Sequence, residues 1–164
     1  MPTSFDKEQL HAVILTALKA LVDNAQAAVD RAYEAATHEE NIAENKYDTL
    51  GLEASYLTQG QARRLAECKA DLAAFEALQP KAFAGNDSVG IGALVTLLDE
   101  NECEHRFFLG PAAGGVKVRL DDRDIIIITT SAPLGKALLN KEAGDEVVVK
   151  ITDKQTCYEI LNVR

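Results

Sequence analysis

Carboxylates gather between residues 34 and 53. Glu34, Glu39, Glu40, Glu44, Asp48 and Glu53 are opposed only by Lys46, so the stretch carries a net −5. Carboxylate oxygens are hard ligands suited to Mg²⁺, and beside such an ion they can orient a water for attack on a phosphodiester. The same charges would also serve as the solvated end of a helical hairpin, where they aid solubility. Charge alone leaves both readings open.

Other chemistries find less support. His38 neighbours Glu39 and Glu40, but a transition-metal site needs further ligands, and His11 and His105 lie far away in sequence. The three cysteines, Cys68, Cys103 and Cys157, are odd in number, widely spaced and lack any CxxC pattern. Neither a zinc site, a catalytic thiol nor a disulfide framework is expected, and a reducing cytoplasm is the natural setting. The run Gly110-Pro-Ala-Ala-Gly-Gly lacks the spacing and the following Lys-Ser or Lys-Thr of a phosphate-cradling loop, and reads as a turn. Arg63 and Arg64 fall on a helical stretch. Solvent exposure is their ordinary reading; docking against an acidic rim on a partner is the sharper one.

The bulk composition narrows the partners. With 164 residues, 47% hydrophobic and 26% charged, the chain can bury a modest core. Its net charge of −9 repels nucleic-acid phosphates, so a basic protein surface or a metal ion is a better partner than free DNA or RNA. The first residues lack a charged-then-apolar signal segment. The longest strongly apolar run, Ile125 to Ile128, is far too short to span a bilayer, so no membrane role is expected.

Two elements must carry the acidic stretch. Residues 5 to 79 contain no proline, and Ile14, Leu18, Leu21, Ala25, Ala28, Ala32 and Ala35 step by alternating fours and threes, a heptad seam. Leu65, Cys68, Leu72 and Phe75 form a second seam. Between them the pattern weakens, which predicts an antiparallel helical hairpin (a coiled coil) with its tip within residues 37 to 50. Two helices of a small bundle are the blander alternative, but no third helix of similar length follows. A helix from Phe5 to Ala36 would span roughly 48 Å at about 1.5 Å per residue.

Pro80 ends the helical region, and residues 80–88 read as a linker. Beyond it the period changes to two or to short apolar runs. Residues 91–98, 106–109, 116–120, 124–129, 146–151 and 157–162 read as strands, separated by turns such as Gly110-Pro111, Asp121-Asp122 and Gly144-Asp145. One helical island, residues 131–139, interrupts them, with Ser131 as N-cap and Pro133 in the first turn. The expected class is α+β: a helical hairpin over 1–79, the linker, and a small antiparallel sheet domain with one short helix over 89–164.

Two segments resemble the Gre-factor family of bacterial transcription elongation (transcript cleavage) factors. The stretch from Ala43-Glu-Asn-Lys-Tyr to Gly60 is similar to the family's tip motif, an acidic residue, a leucine, a basic residue and Glu-Asn before a Tyr-containing helix. Aligning Glu44-Asn45 with that Glu-Asn also brings Glu53 and Gly60 into register. The more specific segment runs from Thr130 to Val149. Its Ser-Ala-Pro-Leu-Gly-Lys-Ala-Leu-Leu-Asn-Lys-Glu-Ala-Gly-Asp-Glu-Val resembles the family block Ser-Pro-(Ile/Leu)-Ala-Arg-Ala-Leu-(Ile/Leu)-Gly-Lys-Glu-x-Gly-Asp-x-Val.

The resemblance implies an FKBP-like C-terminal domain that docks at the rim of the RNA polymerase secondary channel, with Ser131, Pro133, Leu134 and Lys136 as partner contacts. It implies a coiled coil that enters the channel, where Glu44, assisted by Glu40 or Asn41, helps hold a Mg²⁺ and a water at the polymerase active site. The metal ligands would be Glu44 and Glu40; no cofactor would be bound stably. RNA and DNA would be touched only within the elongation complex. The protein would be an accessory factor, with the polymerase itself hydrolysing backtracked RNA. One departure weighs on this expectation. Asn41 stands where the family has its tip aspartate, Ile42 where it has leucine and Ala43 where it has a basic residue. A Gre-like channel regulator that modulates or inhibits the polymerase without promoting cleavage is the alternative. A peptidyl-prolyl isomerase is disfavoured, because such sites are rich in aromatics and this half offers few.

Overall fold

Lys7–Thr37 forms helix α1 and Thr49–Ala77 forms helix α2 in the computed structural model, which describes residues 6–37, 49–84 and 86–164. Helix α1 starts at Lys7, two residues after the expected Phe5, because Asp6 caps it. The Asp6 carboxylate accepts the backbone N–H groups of Glu8 and Gln9 at 3.0 and 3.2 Å, two of the donors a helix start leaves unpaired.

The described residues divide into two compact units, one within 16–73 and the other combining the beginning of α1 with everything from residue 74 onward. The first unit consists of helix alone. Its buried side chains are Leu18, Ala25, Ala32 and Cys68, and Leu21, Ala28, Leu65 and Leu72 are half-buried beside them. These are the seam positions, so each helix buries one stripe; Ala35, at the far end of the α1 seam, is exposed. Alanine along α1 also has a second effect. By length and composition alone, α1 is long and apolar enough to cross a membrane. The expectation drawn from the short Ile125–Ile128 run therefore overlooked α1. Small apolar residues interleaved with polar ones raise its mean hydropathy without making a continuous run, and Leu10, Ile14 and Leu18 bury one face of this helix in the fold.

The second unit holds six strands: β1 Leu94–Leu98, β2 Glu104–Leu109, β3 Lys117–Leu120, β4 Arg123–Ile128, β5 Glu146–Ile151 and β6 Lys154–Val163. A short helix, α3, covers Pro133–Leu138. The strands form one sheet in the order β3-β4-β2-β1-β6-β5. Central β1 is apolar almost throughout and buried on both faces, whereas the edge strands β3 and β5 alternate buried and exposed side chains. Asp121 and Asp122 both have positive φ, 52° and 61°, as the tight β3–β4 hairpin requires.

The α+β class is as expected, with one change in the sheet. It is mixed, because β2 and β4 run parallel, Phe107 pairing with Ile126 and Leu109 with Ile128. The segment after β2 carries the chain past the neighbouring position to make β3 at the edge. The hairpin then returns β4 into the gap, in the same direction as β2.

One sheet face packs against α3 through Val95, Leu97, Leu109, Leu138 and Ile160. On the other face, Phe75 from the end of α2 is fully buried, its ring 6.1 Å from that of Phe108. Gly110 makes that approach possible. A Cβ there would lie 2.7 Å from the tip of the Phe75 ring and 3.0 Å from Ile127 Cγ2. The start of α1 joins the same unit through Lys7, whose ammonium donates to the carbonyls of Lys81, Gly92 and Arg164.

Candidate functional site

The residues singled out for tip chemistry, Glu40, Asn41 and Glu44, lie outside the described residues, as does His38. In sequence they fall between the last residue of α1, Thr37, and the first of α2, Thr49. Their donor chemistry fits a hard divalent ion, with carboxylate oxygens from Glu40 and Glu44 and an amide oxygen from Asn41. Arg63 and Arg64 are exposed on α2, the ordinary reading for that pair.

The described part of the candidate site is α3 with its flanks. Pro133 opens the helix, where a missing N–H costs nothing and its fixed φ suits the first turn. Ser131 is not the cap. Ala132 occupies the N-cap position with extended backbone angles and no side-chain cap. The Ser131 hydroxyl instead pairs with Thr129 Oγ1 at 2.8 Å. Gly135 presses α3 onto that same exit. A Cβ on Gly135 would sit 1.9 Å from the Thr129 carbonyl oxygen, so any side chain there must move the helix or the strand end.

These contacts sort the block into an inner and an outer set. Gly135 and Leu138 are buried, and Leu134 is half-buried against the core. Ser131, Pro133 and Lys136 are exposed. Pro133 and Lys136 are three residues apart on a helix and so share one face. The outcome is a rigid ridge with a hydroxyl, an apolar ring and a cation presented to solvent, a combination suited to docking on a folded partner. Of the four expected partner contacts, Ser131, Pro133 and Lys136 are free to touch another protein directly, while Leu134 mainly fastens α3 to the sheet.

The rest of the block is structural. Asn140 adopts a positive φ of 66° after α3, and its N–H donates to Val89 carbonyl at 2.9 Å, while Val89 N–H donates to Lys141 carbonyl at 2.7 Å. This two-bond strap ties the end of α3 to the segment before β1. Asp145 accepts the Glu142 N–H at 2.8 Å, and Gly144 turns with φ 92° while donating to Ile160 carbonyl. Lys-Glu-Ala-Gly-Asp therefore works as a locked turn into β5. The sequence already marked Gly144-Asp145 as a turn into the next strand, because a glycine beside an acid suits one.

Among the described residues no group of three or more His, Cys, Asp or Glu side chains is placed to hold a metal. His105 Nε2 meets Asp99 Oδ2 at 2.7 Å on the β1–β2 hairpin, and that contact, followed by the Cys103 N–H, holds the Asp99 carboxyl below its usual range. The Cys157 thiol is pushed up, first by partial burial and then by Glu100, which favours the thiol form over a nucleophilic thiolate. Lys7 was missed by sequence reasoning, since nothing local distinguishes a buried lysine from an exposed one.

Residues 84–164 match the family described as "Transcription elongation factor, GreA/GreB, C-term". The chain is 30% identical over 149 residues to the transcription elongation factor GreA of Cereibacter sphaeroides, covering 90% of this chain and 91% of that protein. It is 32% identical over 132 residues to the transcription elongation factor GreA of Beijerinckia indica, covering 79% and 76%. Among solved structures it is similar to GreA factor homolog 1 of Thermus thermophilus, at 17% identity and a TM-score of 0.39 over 92% of this chain and 94% of the other.

Proposed function

This chain belongs to the GreA/GreB family of transcription elongation factors, and on that premise we propose that it inserts its acidic hairpin tip into the secondary channel of RNA polymerase and stimulates cleavage of backtracked RNA. One observation carries the reading. The likeness to a named elongation factor covers 90% of the chain, and so necessarily runs through both helices, the acidic stretch between them and the sheet domain. The exposed ridge of Ser131, Pro133 and Lys136 docks on the polymerase rim. Glu44 then acts at the polymerase active site, with Glu40 or Asn41 beside it. A Mg²⁺ of that active site would supply Lewis acidity and an activated water. Glu44 contributes charge and a hydrogen-bond acceptor that orients the water. The protein acts in the cytoplasm as an accessory factor, and the polymerase performs the hydrolysis.

A second reading is favoured by one feature of this sequence: Asn41 and Ala43 replace the aspartate and the basic residue of the family tip. Under it the chain occupies the channel and retunes the polymerase without promoting cleavage. Backtracked elongation complexes mixed with the protein separate the two. Rapid shortening of the RNA, lost on Glu44→Ala, is the expected result. Unchanged cleavage together with altered initiation would favour the second reading. No association with the polymerase at all would overturn both.

A further inference from the structure

We propose that this chain forms a reversible homodimer by pairing the free edge of β5 with the same edge of a second copy, antiparallel and centred on Val148. β5 ends the strand order, so one of its sides has no neighbour in the sheet. Such an edge presents a row of open N–H and C=O groups, which proteins commonly guard with charge, proline or shortness. The opposite edge, β3, is guarded in this way: it has four residues, and its exposed positions are Lys117 and Arg119. β5 has six residues and no proline. Glu146, Val148, Lys150 and the terminal Ile151 are exposed on it, whereas Val147 and Val149 are buried on the other face. Val148, in the middle of the strand, leaves 51% of its surface in solvent.

The hydrogen-bonding phase of the β5–β6 ladder fixes which backbone groups face the open side. Just before β5, Ile160 N–H donates to the Asp145 carbonyl at 2.9 Å. Bonded and non-bonded pairs then alternate along an antiparallel ladder. Glu146 opposite Glu159, Val148 opposite Cys157 and Lys150 opposite Gln155 are therefore the non-bonded pairs. Cys157 agrees with this phase: its N–H turns away from β5 and donates to Glu100 Oε1 at 3.1 Å. The N–H and C=O groups of Glu146, Val148 and Lys150 thus point outward, and among the described residues no other segment bonds them.

The order of these residues is its own complement. Two antiparallel copies centred on Val148 set valine against valine and, on either side, Glu146 against Lys150. Every one of these is a pair that exchanges both N–H···O bonds. Within one chain neither charge finds an opposite. Glu146 faces Glu159, Lys150 faces Gln155, and neither forms an ion pair among the described residues. Glu146 also borders a shallow depression together with Glu100 and Glu159, and an ammonium from the second copy would offset that crowding of like charge. Sliding the copies by two residues loses both Glu–Lys pairs, so charge selects this register. Any extended strand can satisfy the backbone groups; the palindromic charge order selects a second copy.

Sedimentation velocity of the full chain over a concentration series tests the pairing. Each copy carries −9, so the series is run at about 0.15 M salt, where that repulsion is largely screened. A single strand edge is far smaller than a permanent interface, and a dissociation constant on the order of 10–100 µM is expected. Val148→Pro removes an N–H that the chain itself does not use, a position where an edge strand tolerates proline, and should weaken the dimer about tenfold or more. Glu146→Lys and Lys150→Glu should each weaken it about tenfold by setting like charges together. Both alter exposed side chains and keep the fold, so they carry the test if circular dichroism shows Val148→Pro unfolded. Mixed in equal amounts, the two charge variants regain both opposite-charge pairs and should dimerise like the unaltered chain. A chain that stays monomeric up to about 1 mM overturns the proposal, whatever else binds the edge. So does a dimer that the charge variants form as readily as the unaltered chain, or a pair of weakened variants that fails to associate on mixing.

Discussion

The ammonium of Lys7, in the first turn of α1, donates to the carbonyl of Arg164 at 2.8 Å, joining positions 157 residues apart. Its other two bonds go to the carbonyls of Lys81 and Gly92, so each of its N–H groups has an acceptor. The rings of Phe83 and Phe108 flank it, their centroids 5.0 and 5.7 Å away. A cation–π contribution adds to the hydrogen bonds. This cluster fixes where the helix enters the sheet domain.

Replacing Lys7 should therefore loosen that entry. Lys7→Met keeps the apolar stem and removes the three donors, and is expected to cost about 1–3 kcal/mol in urea unfolding, the range for stranding buried acceptors. Burial lowers the Lys7 pKa from 10.5 to about 8, against the pull of the carbonyls toward the charged form. Between about pH 8 and 10.5 the unfolded chain then holds a proton that the folded chain has released. Stability of the unaltered protein should rise relative to Lys7→Met across that window and run parallel to it below pH 8. A difference that stays flat from pH 7 to 10.5 would contradict this.

Acid should act at the opposite end of the sheet domain. Asp99 accepts from His105 at 2.7 Å and from the N–H groups of Asn101 and Cys103 at 2.8 and 2.9 Å, and its carboxyl is held below its ordinary value of 3.8. The stability this provides is full above the unfolded value and is lost as pH falls through the lower folded one. Denaturation midpoints at pH 5 and pH 3 should fall further apart for the unaltered chain than for Asp99→Asn. Equal spacing would mean that the pair contributes nothing.

The contact between Phe75 and Gly110 makes a packing prediction. Gly110→Ala places a methyl 2.7 Å from the ring tip, and overpacking of this kind typically costs about 1–3 kcal/mol. Shortening the ring with Phe75→Leu should recover part of that loss. A double-mutant cycle is expected to show non-additivity, whereas strictly additive losses would place the strain elsewhere.

On α3, affinity and stability should separate. Lys136 is exposed, so Lys136→Glu should leave the unfolding free energy within about 0.5 kcal/mol. If the ridge docks on polymerase, the reversed charge should weaken that complex about tenfold. Leu138→Ala, at a fully buried site, should instead lose about 2–5 kcal/mol of stability. Undiminished polymerase binding by Lys136→Glu would remove this residue from the docking surface.

Much of this architecture could be read before any coordinates. The seam from Ile14 to Ala35 marked α1, and Leu65 to Phe75 marked α2, because side-chain periodicity acts over a few residues. The strand at 146–151 was placed to the residue, and the other five were shifted by one to three residues at their ends. Turn pairs such as Asp121-Asp122 and Gly144-Asp145 bounded them, since positive φ favours a short list of residue types. Acidity between the helices and the block from Thr130 to Val149 pointed to the family.

Tertiary structure decided the rest, wherever the relevant partner is distant along the chain. The parallel pairing of β2 with β4, the shift of the α3 cap from Ser131 to Ala132 and the glycine contact between Gly135 and Thr129 depend on where separate segments meet. The buried ammonium of Lys7 and the unpaired amide of Asn162 arise in the same way. Local sequence sets what each segment can become. Burial and hydrogen bonding are properties of space, so they exist only once the segments have come together.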